Sequence, residues 1–258
     1  MLSKSEITFL TSLHQKKYRQ QHNSFIAEGQ KVVAELASSG LPVDKIFFTS
    51  EFEKSNPALI RKLARIADSR QISSKDMVRI SALSTPPEVL AAAQIPAYQF
   101  DAGIADKELV LMLDAVSDPG NIGTIIRIAD WFGIGHVVCS EKCADAWSPK
   151  VVQAAMGSLF RVKIYRNDIV AILNERFLNV PVYGTLMSGK SLYDTALTTN
   201  GYIIFGNESA GISDEIKEHI TSALHIPIAG RAKDQPVPDS LNVAVAAAIV
   251  CSEFRRRK

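Results

Sequence analysis

Three polar, glycine-bearing segments of this 258-residue chain hold the side chains best suited to chemistry. The first runs from Asp114 to Gly123 and leads into a helical pattern that carries Arg127. Asn121 falls at the cap or in the first turn of that helix, Gly123 permits close backbone approach, and Arg127 lies one turn beyond the glycine. Such a loop can present an amide and a guanidinium to one substrate, although an ordinary strand-to-helix turn with an exposed arginine uses the same residues. Its glycines do not match G-x-G-x-x-G, so no nicotinamide-binding fingerprint is supported. The second segment, Gly206 to Ser213, follows the apolar run Tyr202–Phe205 and brackets Asn207 and Glu208 between two glycines. Ser213, with Glu215 and Ile216 beyond it, reads as a capped helix start. The third joins Ile226–Gly230 to Asp239–Ile249 through a polar stretch ending at Pro238. Asp239 or Ser240 is expected to cap the helix that follows. Asn242 is an amide in an apolar helix start and must find hydrogen bonds, in a local cap or with a ligand and a neighbouring loop.

The elements that position these segments alternate. Leu109–Leu113 is a continuous apolar run of the kind found in a strand covered on both faces. Further strands are predicted at 136–139, 161–165, 180–185, 202–205 and 223–226, with helices at 122–132, 150–156, 168–177 and 241–254. That rhythm predicts a parallel sheet with helices on both faces, and in such sheets ligands bind beyond the carboxyl ends of the strands. The front of the chain reads as a smaller α/β unit. Helices are expected at 5–17, 27–37 and 57–67 and strands at 43–49 and 89–95, with a basic loop between the first two helices. The expected division is a first domain over 1–100, a linker over 101–107 and a second domain over 108–258.

Composition bounds the class. Hydrophobic residues make up 47% and charged residues 22%, which suits a folded chain and not a disordered one. No uncharged apolar run reaches the ~18 residues of a membrane span, and the polar N-terminus lacks a signal-peptide core, so a cytoplasmic protein is expected. Cys139, Cys143 and Cys251 lack zinc-site spacing, and the five histidines form no ligand or triad pattern, so no metal is expected. The net charge is only +2, but residues 1–100 hold 13 Lys and Arg against 9 Asp and Glu, whereas residues 101–254 hold 12 against 18. The tail 255–258 adds four cations. Basic ends would suit a polyanion.

Taken in order, D-x-V-x-D-P-x-N-x-G-x-x-x-R at Asp114–Arg127, F-G-N-E-x-x-G-I-S at Phe205–Ser213, and I-P followed by S-L-N-V-A-V-A at Ile226–Ala246 resemble the SpoU (TrmH-like) family of RNA 2′-O-ribose methyltransferases. The stretch Val151–Val162 is similar to the family's connecting region, and the front, with Phe25–Gly29, is similar to its ribosomal-protein-like RNA-binding domain. The resemblance implies an α/β fold whose C-terminal SPOUT domain has a parallel sheet and a deep trefoil knot, binds S-adenosylmethionine and forms a homodimer. Chain-connection rules alone lead to an unknotted doubly wound sheet.

The implied catalytic set is Arg127, Asn121, Glu208, Ser240 and Asn242. A free guanidinium keeps its proton at neutral pH, so Arg127 is read as a clamp on the ribose-phosphate that positions and acidifies the hydroxyl, with the base left open. Asn121 would orient Arg127 or the ribose, Glu208 would hold the arginine or a substrate donor, and Ser240 and Asn242 would complete the polar wall. The cofactor would rest on backbone around Thr185, Leu186, Gly206, Ile226 and Leu241. In the front domain Lys16, Lys17, Tyr18 and Arg19, with His22 and Asn23 nearby, are expected to grip RNA, ribosomal RNA in preference to transfer RNA; a solvated helix end is the competing reading. A non-catalytic RNA-binding protein on the same fold remains the alternative function. The segment 231–239 is longer than in compact family members, so family contacts there do not transfer.

Overall fold

The computed structural model describes residues 2–228 and 239–256; the 231–239 segment, apart from Asp239, and the tail residues Arg257 and Lys258 lie outside the described residues. In chain order the elements are α1 (Lys4–Ser12), α2 (Lys16–His22), β1 (Ser24–Glu28), α3 (Gln30–Leu36), β2 (Val43–Phe48), α4 (Ser50–Ser55), α5 (Pro57–Leu63), β3 (Asp68–Gln71), α6 (Ser74–Ile80), β4 (Val89–Gln94), β5 (Leu109–Leu113), α7 (Pro119–Trp131), β6 (His136–Cys139), α8 (Pro149–Ala155), β7 (Lys163–Arg166), α9 (Ile169–Glu175), β8 (Val182–Ser191), β9 (Gly201–Phe205), α10 (Asp214–Lys217), β10 (Ser222–His225) and α11 (Val243–Arg256). They fall into two compact units, Met1–Ala97 with Asp145–Arg161, and Tyr98–Ala144 with Val162–Lys258.

The first unit is built on a four-stranded sheet of order β1-β4-β2-β3, antiparallel except for the β2–β3 pair. Where the sequence reading had a helix beginning at Ala27, Ser24–Glu28 is instead a fully buried strand paired with Ala-rich β4. The expected basic loop is likewise helical over Lys16–His22. No apolar periodicity marks α2, because a buried cation holds it: Arg19 is 3% exposed, donates through Nε to Asp145 Oδ2 at 2.8 Å and through Nη1 to the Leu13 carbonyl at 2.7 Å. β3, Asp-Ser-Arg-Gln, is a polar edge strand with no alternation to find. Asp145–Arg161 was expected in the second domain, but it packs in this unit through Trp147 and Phe160 against Phe25 and through Arg161 on Glu35.

The second unit carries a six-stranded sheet of order β10-β8-β9-β5-β6-β7, in which every neighbouring pair is parallel. Val110 and Met112 of β5 enter a cluster with Ile169, Ile172 and Leu173 of α9 and with Ile212 and Ile216. Leu109, Leu111 and Leu113 point to the opposite face and are at most 1% exposed, so both faces of this strand are covered. Burial on both sides is why these strands read as unbroken apolar runs.

Candidate active site

Because the strands are parallel, the segments after β5, β9 and β10 leave the same end of the sheet. The β5–α7 turn is fixed by acids. Asp118 caps α7, its Oδ1 accepting the Asn121 amide at 2.9 Å with Pro119 in the first turn. Asp114, 6% exposed, accepts the Ser213 amide at 2.8 Å, tying this turn to the β9 loop. Ser213 stands at the cap position of α10, but its hydroxyl makes no capping bond there; its role runs through its backbone.

In the second loop Asn207 does the folding. Its Oδ1 accepts the amides of Ser209 and Ala210 at 2.9 and 3.0 Å, and its Nδ2 donates to the carbonyl of Ala115 at 2.8 Å. Ala115 has φ +54, a left-handed conformation unusual for alanine, and its amide is held by Ser140 Oγ at 2.9 Å. Asn207 and Gly211 exchange two backbone bonds of 2.9 Å, which brings Gly211 over Gly206; a Cβ on Gly206 would lie 2.2 Å from the Gly211 carbonyl carbon. Below, Cys143 donates to the Leu113 carbonyl, and a hydrogen bond with the neighbouring Cys139 thiol brings the Cys143 thiol down to about 7.

Three polar side chains, one from each segment, join in a relay. Asn121 Nδ2 donates to Glu208 Oε1 at 2.8 Å, Asn242 Nδ2 donates to Asn121 Oδ1 at 3.0 Å, and Asn242 Oδ1 accepts the amides of Ala244 and Val245 at 2.9 and 3.3 Å. Its polarity follows from its ends. An ionised carboxylate only accepts, so Asn121 turns its amino group to Glu208 and its oxygen to Asn242, whose own oxygen then meets the helix amides. Asn242, not Asp239 or Ser240, therefore caps α11. The start of this helix is fixed by an amide that serves two elements at once.

Arg127 is exposed on α7, and its side chain makes no hydrogen bond or ion pair among the described residues. The Asn121 and Glu208 side chains, expected to orient or hold it, bond instead to each other, to Asn242 and, for Glu208, to Asn207 Nδ2 at 3.5 Å. Ser240 is exposed, and its side chain makes no hydrogen bond among the described residues. Of the residues expected around a cofactor, Thr185 donates to the Ile204 carbonyl at 2.9 Å, Leu186 packs partly buried on the cluster holding Ile212 and Ile216, Ile226 follows β10 directly, and Leu241 is 48% exposed. The β8–β10 ladder skips from Gly184 to Lys190, leaving 185–189 out of register beside them.

In the first unit Lys16 and Lys17 are exposed, and the Lys17 ammonium lies 5.7 Å from the centre of the Tyr18 ring. Arg19 is not available to RNA, because its guanidinium is buried in the pair with Asp145. His22 meets Phe9 edge-on, and Asn23 ends α2 in a left-handed conformation. Of the tail cations within the described residues, Arg255 donates to the carbonyls of Phe132 and Gly133 just past the last turn of α7, and Arg256 pairs with Glu253. The sequence reading gave no roles to Asp114, Asp118 or Asn207. Their signal was present in D-x-V-x-D-P and G-N-E, whose polar residues directly follow buried strands.

The pattern of the SpoU rRNA Methylase family matches residues 108–252, and that of an MRM3-like substrate binding domain matches residues 4–91. The chain is 32% identical over 245 residues to the 23S rRNA (guanosine(2553)-2′-O)-methyltransferase RlmP of Bacillus subtilis (strain 168), covering 94% of this chain and 93% of that one. Among solved structures, a putative RNA methyltransferase of the TrmH family from Porphyromonas gingivalis superposes with a TM-score of 0.87 at 38% identity, with all of both chains covered. An AdoMet-bound rRNA methyltransferase from Sinorhizobium meliloti gives 0.83 at 28% identity, covering 100% of this chain and 96% of that one. With its catalytic-domain pattern matched over more than half its length, and its three loops meeting in one relay, the chain belongs to the SpoU rRNA methylase family.

Proposed function

We propose that this chain is an S-adenosylmethionine-dependent methyltransferase acting on a ribose 2′-hydroxyl in ribosomal RNA. The observation that carries this reading is the Glu208–Asn121–Asn242 relay, together with an arginine on the same helix as Asn121 that is left unpaired among the described residues. Two amides and a carboxylate pin the loops together, while Arg127 keeps its guanidinium fork for a ribose-phosphate. Holding that phosphate fixes the neighbouring hydroxyl in line for attack and favours loss of its proton. The relatives' named substrates support ribosomal RNA over transfer RNA.

S-adenosylmethionine, when bound, supplies a methyl group on a positively charged sulfur. The residues present suit it: Thr185, Leu186, Gly206, Ile226 and Leu241 carry no charge, and Met187, Ile228 and Leu241 are 63%, 51% and 48% exposed. Such a surface suits a flat adenine whose polar atoms are met by main-chain groups. Ser240 would line the same wall.

The knot implied by the family and a homodimer belong to the same reading. Trp131, 84% exposed one turn beyond Arg127, and Val245, 49% exposed on the adjoining α11, offer apolar surface for a second copy. A cytoplasmic site of action belongs to the same reading and is supported by the likeness over nearly the full chain to a bacterial ribosomal RNA methyltransferase. Among the described residues no helix is long and apolar enough to cross a membrane.

The test is incorporation of labelled methyl from S-adenosylmethionine into ribosomal RNA purified from cells lacking this protein, with mapping of the modified nucleotide. A single new 2′-O-methyl ribose is expected. Tight S-adenosylmethionine binding without methylation of any ribosomal RNA or assembly particle would overturn the reading in favour of another acceptor.

A further inference from the structure

The first unit contains an open cleft of about 590 Å³ lined by Gln30, Lys31, Ala34, Glu35, Ser38 and Lys62. We infer that this cleft, between α3 and α5, is where the substrate RNA backbone is held, with Lys31 and Lys62 as its phosphate contacts. The inference rests on the proposed function and names the RNA-binding surface that function requires.

Several cations of this unit are already neutralised by carboxylates. Glu6 takes Lys45 and Arg70, Asp76 takes Arg79, and Asp145 takes Arg19. Lys31 and Lys62, like the exposed Lys4 and Lys75, stand outside these pairs, and of these four only Lys31 and Lys62 line the cleft. Its only carboxylate, Glu35, is engaged by Arg161, and Lys31 and Lys62 have no acidic partner among the described residues. Lys62 instead donates to Ser38 Oγ at 2.7 Å, a neutral hydroxyl that holds the ammonium at the rim without cancelling its charge. Arg61 and Arg65, exposed on and just after α5, likewise lack an ion pair among the described residues and add to the positive charge of this helix end.

Glu35 itself is held in place. Gly157, at φ +93, lies so close that a Cβ there would fall 2.6 Å from Glu35 Cγ. The segment Asp145–Arg161 thus supplies both the room and the arginine that engage the one acid of the cleft. A concave surface with uncompensated ammonium groups and neutral polar walls is suited to a polyanion, whose phosphates it meets by charge without reading sequence. Lys16 and Lys17 of α2 are exposed too and line neither this cleft nor the one formed by Ser5, Glu6, Phe9 and Lys45.

The test uses the full chain and purified ribosomal RNA. Direct binding is measured against salt concentration for wild type, Lys31→Gln/Lys62→Gln and Lys16→Gln/Lys17→Gln, alongside KM and kcat for methyl transfer and melting temperature. The cleft variant is expected to bind RNA roughly 10-fold more weakly, with a salt slope shallower by about 1 to 2, raised KM and unchanged kcat and melting temperature. Unchanged affinity and slope in the cleft variant, or a loss confined to the α2 variant, would overturn the inference. Because binding is read without turnover, an inactive wild type that still binds RNA through the cleft would sink the proposed activity and leave the cleft standing.

Discussion

Arg127 and Asn121 sit two turns apart or less on one helix, yet their environments divide the work. Arg127 has no protein partner among the described residues, so replacing it costs the fold nothing that the structure shows. Arg127→Ala is expected to reduce methyl transfer by at least about 100-fold with little change in melting temperature or in S-adenosylmethionine binding. Arg127→Lys should recover little, since an ammonium lacks the planar fork. Full activity in either variant would remove Arg127 from the mechanism. Asn121 is the opposite case, bonded through both ends of its amide to Glu208 and Asn242. Asn121→Asp would set a second carboxylate against Glu208, and Asn121→Ala would break the link between Glu208 and Asn242. Each should lower kcat and also stability, by about 1 kcal/mol or less for the alanine variant in thermal unfolding, since both bonds are solvent-exposed. A variant that loses neither would show the relay to be incidental.

At the scale of elements, the loops are held by short polar devices at helix starts and strand ends. α1 shows the type and gives a pH test. The Ser3 amide and hydroxyl, and then Arg70 and Lys45, hold the Glu6 carboxyl at about 2, below its ordinary 4.5. A lowered native value means that the contribution is present above about 4.5 and is lost as pH falls toward about 2. Since this network is partly solvated, its worth is about 1 kcal/mol or less. Glu6→Gln should therefore melt a few degrees lower than wild type at pH 7, and the gap should close as both are taken toward pH 2. A gap independent of pH would mean that the capping box, not the charge, carries the effect. α11 depends on a different device, because its cap, Asn242, is also bonded to α7 through Asn121.

For the molecule as a whole, the proposed dimer makes the sharpest demand. Light scattering should give twice the chain mass, and Trp131→Glu should yield a folded monomer with sharply reduced methyl transfer. A wild-type monomer with full activity would refute the dimer and leave the family assignment untouched.

What the amino-acid sequence determined by itself was the alternation of buried strands with amphipathic helices in the second unit, and the polar segments that follow those strands. Strands covered on both faces need unbroken apolar runs, so β5, β6 and β9 were legible within a residue or so of their ends. Motif order likewise carried the family. Tertiary structure alone decided where the bonds of those motifs go: the carboxylate of Glu208 to an amide and not to Arg127, the cap of α11 to Asn242, and the guanidinium of Arg19 into the protein. It also moved Asp145–Arg161 into the first unit. Local pattern records which face of an element is buried, whereas these outcomes depend on which donors and acceptors, distant in sequence, are brought within 3 Å of one another. A polar residue read alone has many possible partners, and the fold selects among them.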